Sequence, residues 1–317
     1  MASFAGALRH GGRLSEAAAV FPHAPTPWLD LSTGINPVVW TGPRATLEDL
    51  RRLPDPEGLK ALEAAAAAAF GVADPGRVVA VPGAEAGLRL LPELLKISGV
   101  EIAGPTYGGH EDAWRAAGVS IVAGGDALVV VNPNNPDGRM LSREALTDLA
   151  WEGRWLIVDE SFGEVTPALS VAGLEAERLI VLRSFGKFYG LPGVRLGFVV
   201  ATPELAERLR QRLGDWPVSA EAIVMGRAAY ADVAWQAAAR TRLDRDADRL
   251  DTVLTAAGFE IVGGTSLFRL AAAPDAAQRF TRLCEAGILT RPFAYAPTWL
   301  RFGLPGPSDF DRLEAAL

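Results

Sequence analysis

The chain has 317 residues, of which 49% are hydrophobic and 22% charged, with a formal net charge of −7. That length can bury a substantial core and suits one large domain with a smaller companion, while the acidic balance and the lack of a basic run exclude a nucleic-acid partner. A single cysteine, Cys284, excludes an intrachain disulfide and a cysteine-rich metal cluster, and fits a reducing, cytoplasmic setting. The opening Met1–Leu8 segment is too short for a cleavable apolar core or a membrane span, so neither a signal peptide nor a membrane partner is expected.

In chain order, His10-Gly11-Gly12 comes first and Leu29-Asp-Leu-Ser-Thr-Gly-Ile-Asn-Pro37 second. Glu63 and the alanines 64–69, ending at Phe70-Gly71, predict a helix closed by glycine. From Leu47 to about Ala201 strands and helices alternate. Apolar runs at Val78–Val81, Ala127–Val131, Leu156–Val158, Leu179–Leu182 and Leu196–Val200 predict strands covered on both faces. The fold class is therefore α/β, a three-layer and mostly parallel sheet between helices. Strand Arg77–Val81 passes through Pro82-Gly83 into a helix from Ala84 to Leu95, whose free amides suit an anion. Tyr107 closes Gly104-Pro-Thr-Tyr107, the strand ending at Val131 runs into Asn132-Pro-Asn-Asn135-Pro-Asp-Gly138, and the strand ending at Val158 delivers Asp159-Glu160. Strand Leu179–Leu182 leads into Ser184-Phe-Gly-Lys187-Phe-Tyr-Gly-Leu-Pro-Gly-Val-Arg195. Ala84, Tyr107, Asn135 and Asp159 thus all fall just past strand ends, where a parallel sheet opens its ligand crevice.

Beyond the sheet, the pattern predicts a helix Glu204–Leu213, a break at Gly214–Pro217 and a helical region from Ser219 to Ala257 with the charges between Arg240 and Arg249 on its solvated face. A smaller α+β unit, Phe259–Leu317, follows and is joined by the N-terminal segment; within it a helix Asp275–Ala286 packs Cys284. Two strands, Gly287–Arg291 and Thr298–Leu304, each carry one arginine, Arg291 and Arg301. The expected division is 38–215 for the large domain and 1–37 plus 216–317 for the small one.

Lys187 stands among small and aromatic residues just past a strand, which is an unusual place for a solvated lysine. With Ser184 before it and Arg195 after it, it resembles the Schiff-base lysine of a pyridoxal-phosphate enzyme. Asp159 is placed to pair with a pyridine nitrogen and keep it protonated, and Asn135 can donate to the phenolic oxygen of the same ring. Each segment taken singly also has an ordinary use: a snorkelling lysine, a β-turn at Asn132–Gly138, a helix cap at Asp159, a core aromatic at Tyr107.

On these residues the chain resembles the fold-type I pyridoxal-phosphate enzymes of the aspartate aminotransferase superfamily, on the histidinol-phosphate aminotransferase-like branch. Within it, His10-Gly11-Gly12, Leu29–Pro37 and Val181-Leu-Arg-Ser-Phe-Gly-Lys-Phe-Tyr189 are similar to the threonine-phosphate decarboxylases of cobalamin biosynthesis. The resemblance implies that pyridoxal 5'-phosphate is joined to Lys187, with Asp159 at its ring nitrogen, Asn135 at its ring oxygen and Tyr107 stacked on the ring. It implies that Ser184, Arg195 and the backbone of Gly83-Ala84-Glu85 hold the cofactor phosphate. Arg301 would take the substrate carboxylate, Arg291 and His10 the substrate phosphate, and the loop carrying Gly34 and Ile35 would close over the carboxylate beside Asn135. No metal is implied.

Two positions depart from the branch. Leu53 stands before Pro54-Asp55 where many relatives carry a tyrosine that reaches the partner subunit, and Phe162 stands where aminotransferases often carry a tyrosine. The expected activity is decarboxylation of L-threonine O-3-phosphate, a small phosphorylated amino acid, to (R)-1-aminopropan-2-yl phosphate. Two arginines suit such a substrate, because guanidinium binds carboxylate and phosphate through paired hydrogen bonds. Transamination of histidinol phosphate is the alternative, and a non-catalytic cofactor- or partner-binding protein of corrinoid assembly is a third reading. A homodimer is expected from the superfamily.

Overall fold

The computed structural model describes residues 10–317. The Met1–Leu8 segment lies outside them. Thirteen strands are defined among the described residues: β1 Leu29–Asp30, β2 Val78–Val81, β3 Gly99–Ile102, β4 Ser120–Ile121, β5 Ala127–Val131, β6 Trp155–Glu160, β7 Leu179–Ser184, β8 Gly197–Val200, β9 Glu260–Thr265, β10 Phe268–Ala272, β11 Ile288–Leu289, β12 Arg291–Phe293 and β13 Ala296–Gly303. The chain divides into two compact units. The larger holds Val39–Asn135 and Arg139–Gln236; the smaller holds the residues up to Val38, Pro136–Gly138 and Ala237–Leu317.

The large unit is built on a seven-stranded sheet ordered β2-β8-β7-β6-β5-β3-β4. Strands β4, β3, β5, β6 and β7 run parallel, with registers such as Val131↔Asp159 and Asp159↔Leu182. Strand β8 runs antiparallel to both β7 and β2. The five apolar runs read from sequence are all strands here, buried because both faces of the sheet are covered. On one face Val79, Val81, Val129, Ile157 and Val199 pack with Leu88, Leu91, Trp114, Leu205 and Leu209. On the other, Phe198 meets Phe70 at 5.5 Å and Tyr230 at 5.6 Å, so helices Pro56–Phe70 and Ala220–Ala231 form the third layer. The edge strand β2 is closed by side chains. The buried Glu63 accepts the Ala80 N–H at 3.0 Å, and Arg210 donates to Glu63 and to the Val78 carbonyl. This blocks an exposed ladder that could otherwise pair with another strand.

In the small unit, β12-β13-β10-β9 form an antiparallel sheet and β1 pairs in parallel with β11, Leu29 opposite Ile288. The N-terminal segment is thereby held to the C-terminal part of the chain. Cys284 is buried in the helix Ala276–Glu285, where burial pushes its thiol up to about 12 and leaves it a packing residue.

Several sequence expectations shift. Residues 216–236 group with the large unit rather than with 237–317, because helix Ala220–Ala231 packs along Pro56–Phe70 and brings Tyr230 to 5.2 Å from Phe70. The helical region 219–257 is interrupted at Asp232, whose carboxylate accepts the Trp235 N–H and the Trp40 indole N–H, both at 3.0 Å. Its charges are not all solvated: Asp246 is buried and Arg242 reaches the Asn36 side chain at 3.1 Å. Strands β3 and β4 lie outside the five apolar runs. The first contains Gly99 and Glu101 and the second has only two residues, so neither carries a long apolar signal.

Candidate functional site

All the residues expected to hold the cofactor lie in the large unit, at or within a few residues of the ends of strands or in the segments that follow them. Asp159, the fifth residue of β6, is buried, and both of its oxygens have partners. Oδ2 lies 2.9 Å from His110 Nε2, and Oδ1 accepts the Ser161 N–H at 2.8 Å. Burial pushes the carboxyl up, but the hydrogen bond and charge of His110, with the Ser161 bonds, more than offset it and hold it below the usual carboxylate range. Asp159 is therefore kept ionised inside the protein. His110 was missed by sequence reasoning, although its spacing with Ala113 and Trp114, three and four residues on, sets it on the buried face of helix Gly108–Ala116.

Tyr107 precedes that helix. Its hydroxyl donates to Glu85 Oε2 at 3.1 Å, and its ring meets the His110 ring edge-on at 6.2 Å. Asn135 is half-buried at the end of a loop braced by its neighbours: the Asn132 amide bonds both ways with Leu141, and Asn134 accepts from Thr106 and donates to the Pro105 carbonyl. Those two asparagines hold the turn and so set where Asn135 emerges.

Ser184 ends β7 and caps the short helix Phe185–Phe188 without a side-chain hydrogen bond to it. Lys187 lies in that helix, half-buried, with Nζ 5.1 Å from the centroid of the buried Phe162 ring. The neighbouring Phe188 and Tyr189 turn into the core. Tyr189 stacks on Phe185 at 4.6 Å and on Trp235 at 5.6 Å, and Phe188 meets Trp235 edge-on. This aromatic floor fixes the segment from which Lys187 projects. Behind Asp159, Arg183 bridges Glu160 at 2.6 Å and Glu164 at 2.9 Å, tying the ends of β6 and β7 together.

Gly83 precedes helix Ala84–Leu95 at φ +87°, a conformation that L side chains rarely adopt, and the helix start has no side-chain cap. A Cβ on Gly83 would fall 2.4 Å from an Arg195 guanidinium nitrogen, so the guanidinium lies directly against the uncapped helix start. Arg195 itself is exposed. An uncapped helix start and a cation therefore lie side by side, an arrangement that suits an anion.

Of the residues expected to meet substrate, Asn135 lies in the large unit, and His10, Gly34, Ile35, Arg291 and Arg301 lie in the small one. Arg291 and Arg301 are direct cross-strand partners on β12 and β13. Arg301 is buried, donates to the Ser32 carbonyl at 2.7 Å, and is held down to about 10 by burial and by the charge of Arg291. The Ser32 side chain in turn accepts the Gly12 N–H at 2.8 Å and donates to Asp30 at 2.5 Å. Hence His10-Gly11-Gly12 and the 29–37 segment meet beside Arg301, with Gly34 buried and Ile35 and His10 half-buried. Ser32 is a linking residue that sequence reasoning did not single out. Leu53 is 66% exposed on the large unit. Among the described residues, no cluster of metal-ligating side chains exists.

A sheet of this topology, with a lysine, a buried carboxylate and an anion cradle at its strand ends, defines a class of protein. The chain belongs to the class I and II aminotransferase family, which it matches over residues 31–125 and 123–316. It is 44% identical over 322 residues to a threonine-phosphate decarboxylase of Sinorhizobium sp, covering 96% of this chain and 95% of that protein. It is 39% identical over 329 residues to a threonine-phosphate decarboxylase of Pseudomonas aeruginosa, covering 98% of this chain and 97% of that one. In fold it is similar to the histidinol-phosphate aminotransferase of Sinorhizobium meliloti solved with pyridoxal-5'-phosphate, at a TM-score of 0.78 and 20% identity, covering 86% of this chain and 83% of that one. The fold is that of the fold-type I transferases, and the cofactor is pyridoxal 5'-phosphate. The residues present fit that group: an ionised buried carboxylate for a protonated ring nitrogen, and an uncapped helix start with a guanidinium for a phosphate.

Proposed function

We propose that the protein decarboxylates L-threonine O-3-phosphate, releasing CO2 and leaving (R)-1-aminopropan-2-yl phosphate, a step of cobalamin biosynthesis. The observation that carries this reading is the near-full-length identity with two threonine-phosphate decarboxylases. The arginine pair supports it. Like charges directly opposite on an antiparallel ladder repel, and a ligand carrying both a carboxylate and a phosphate relieves that repulsion at Arg301 and Arg291. Histidinol phosphate offers no carboxylate to the pair.

When bound through Lys187, pyridoxal phosphate supplies an electron-withdrawing ring. The chain's own residues then have distinct tasks. Asp159, kept ionised by His110 and Ser161, holds a proton on the ring nitrogen. Asn135 would donate to the ring oxygen, Tyr107 would cover the ring, and Ser184, Arg195 and the amides of Ala84 and Glu85 would hold the phosphate. Arg301 pairs with the substrate carboxylate, Arg291 and His10 face its phosphate, and Gly34 and Ile35 close beside them. Once the substrate amine has taken its place, the freed Lys187 Nζ would deliver the proton that replaces CO2 at Cα.

We also infer a cytoplasmic homodimer. Supporting it are the lone buried cysteine and an exposed apolar row, Leu47, Leu50 and Leu53, at 73%, 57% and 66% accessibility on the large unit. No described helix is long and apolar enough to cross a membrane. The deciding experiment incubates the purified holoenzyme with threonine phosphate and follows CO2. A parallel sample receives histidinol phosphate with 2-oxoglutarate, and glutamate is followed. CO2 without glutamate is expected; glutamate without CO2 overturns the assignment. Mass in solution tests the dimer.

A further inference from the structure

A carboxylate is an unexpected neighbour for a phosphate. Glu85 occupies the second position of helix Ala84–Leu95, beside Gly83 and Arg195, where its negative charge would repel a bound phosphate if left unengaged. Both of its oxygens are engaged elsewhere. Oε1 accepts from Arg89, one turn along the helix, at 2.8 Å from Nε and 2.7 Å from a terminal nitrogen, and Oε2 accepts the Tyr107 hydroxyl at 3.1 Å. The same backbone that offers its amides to the phosphate thus carries a side chain reaching across to the ring of Tyr107.

Tyr107 is held at three points. The Gly109 backbone lies against the outer edge of its ring, where a Cβ on Gly109 would come within 2.3 Å of Cε1. His110 meets the ring edge-on at 85°. Glu85 takes the hydroxyl at the far end. Contacts along an edge still leave a tyrosine ring free to swing about its side-chain bonds, and a hydrogen bond at the tip removes that freedom. Burial and the Glu85 charge both push the phenol well above its ordinary value, so it keeps its proton and remains a donor.

We propose that the Glu85 side chain is a positioning residue for the cofactor: by anchoring the Tyr107 hydroxyl it sets the plane of the ring that covers the pyridine, coupling the phosphate cradle to the stacking face. Arg89 balances the charge that this anchor brings to the helix start. The inference rests on the proposed stacking of Tyr107 on the cofactor ring and is independent of which substrate is turned over.

The test uses the full-length protein reconstituted with pyridoxal 5'-phosphate, reading cofactor affinity and the visible circular dichroism of the bound cofactor. Glu85→Ala and Tyr107→Phe should each weaken cofactor affinity about tenfold, the loss of one charge-assisted hydrogen bond at a half-exposed site, and each should diminish the visible band. The double variant should be no worse than either single one, because both remove the same bond. Glu85→Gln keeps an acceptor and should stay within about twofold of the parent. Wild-type affinity and dichroism in Glu85→Ala, or additive losses in the double variant, overturn the proposal. Should Glu85→Ala fail to fold, a wild-type-like Tyr107→Phe overturns it alone. Unchanged affinity in Tyr107→Ala refutes the stacking and with it this inference. A loss there beside a wild-type-like Glu85→Ala refutes the anchor only.

Discussion

In the large unit the buried Asp159 carboxylate faces His110 at 2.9 Å and the Ser161 amide at 2.8 Å, whereas in the small unit the buried Arg301 guanidinium has another arginine as its cross-strand partner. The first charge is matched within the chain, and its ionised state belongs to the folded protein itself. The second is drawn down to about 10 by burial and Arg291, which outweigh the opposite pull of Tyr295 and Asp30. A buried carboxylate held ionised by its donors serves as an electrostatic fixture of the fold, while a guanidinium whose charged form is disfavoured by burial and a like charge gains from an incoming anion. That contrast agrees with the proposal that Asp159 serves the resident cofactor and Arg301 the transient substrate.

Removing the attachment point breaks the large-unit half most severely. Lys187→Ala should lose the covalent adduct that borohydride traps, seen by mass spectrometry, and CO2 release should fall by at least about a thousandfold. Arg301→Ala probes the opposed charge: kcat/KM for threonine phosphate should drop about a hundredfold, carried by KM, and a loss confined to kcat would contradict a binding role. His110→Phe sharpens the matched charge. It removes one of the two partners of Asp159, so kcat should fall about tenfold as the ring nitrogen is held less firmly protonated, with KM little changed.

The smallest effect is the most diagnostic, because the two charges titrate at opposite ends of the pH scale. As pH rises through about 10, Arg301 loses its proton and kcat/KM should halve at about that value; kcat should stay flatter, since bound anion favours the charged guanidinium. Asp159 behaves in the opposite sense. Its folded value lies below the ordinary 3.8, so the stability it contributes is present above that value and is lost only as pH falls through the lower, folded one. An acid limb of unfolding should therefore shift upward in His110→Phe, which a thermal melt across acidic pH would show.

The two halves also differ in how far they could be read in advance. Asn135, Asp159, Ser184 and Lys187 each follow an apolar run within a few residues, so local pattern alone placed them at strand ends, and β5, β6 and β7 bear this out. The small-unit residues proposed to meet substrate have no such contiguity. His10, the loop at Gly34 and Ile35, and the two arginines come from three segments, joined by the β1–β11 pairing and by hydrogen bonds through Ser32. His110 escaped notice because a lone histidine on a helix gives no chemical signal until its partner, distant in sequence, is known. The grouping of 216–236 with the large unit escaped for the same reason: the Gly214–Pro217 break is a real local stop, but the contacts that decide membership are with a helix far upstream.

Local chemistry written along the chain was enough to place the five apolar strands and the turn segments that follow them, because apolar runs and turn residues act over a few neighbours. Only the tertiary structure decided that Asp159 is kept ionised by His110, that Arg301 sits opposite Arg291, and that Glu85 holds the Tyr107 hydroxyl. Each of those depends on the distance between groups far apart in sequence, and both charge and hydrogen bonding act through distance in space.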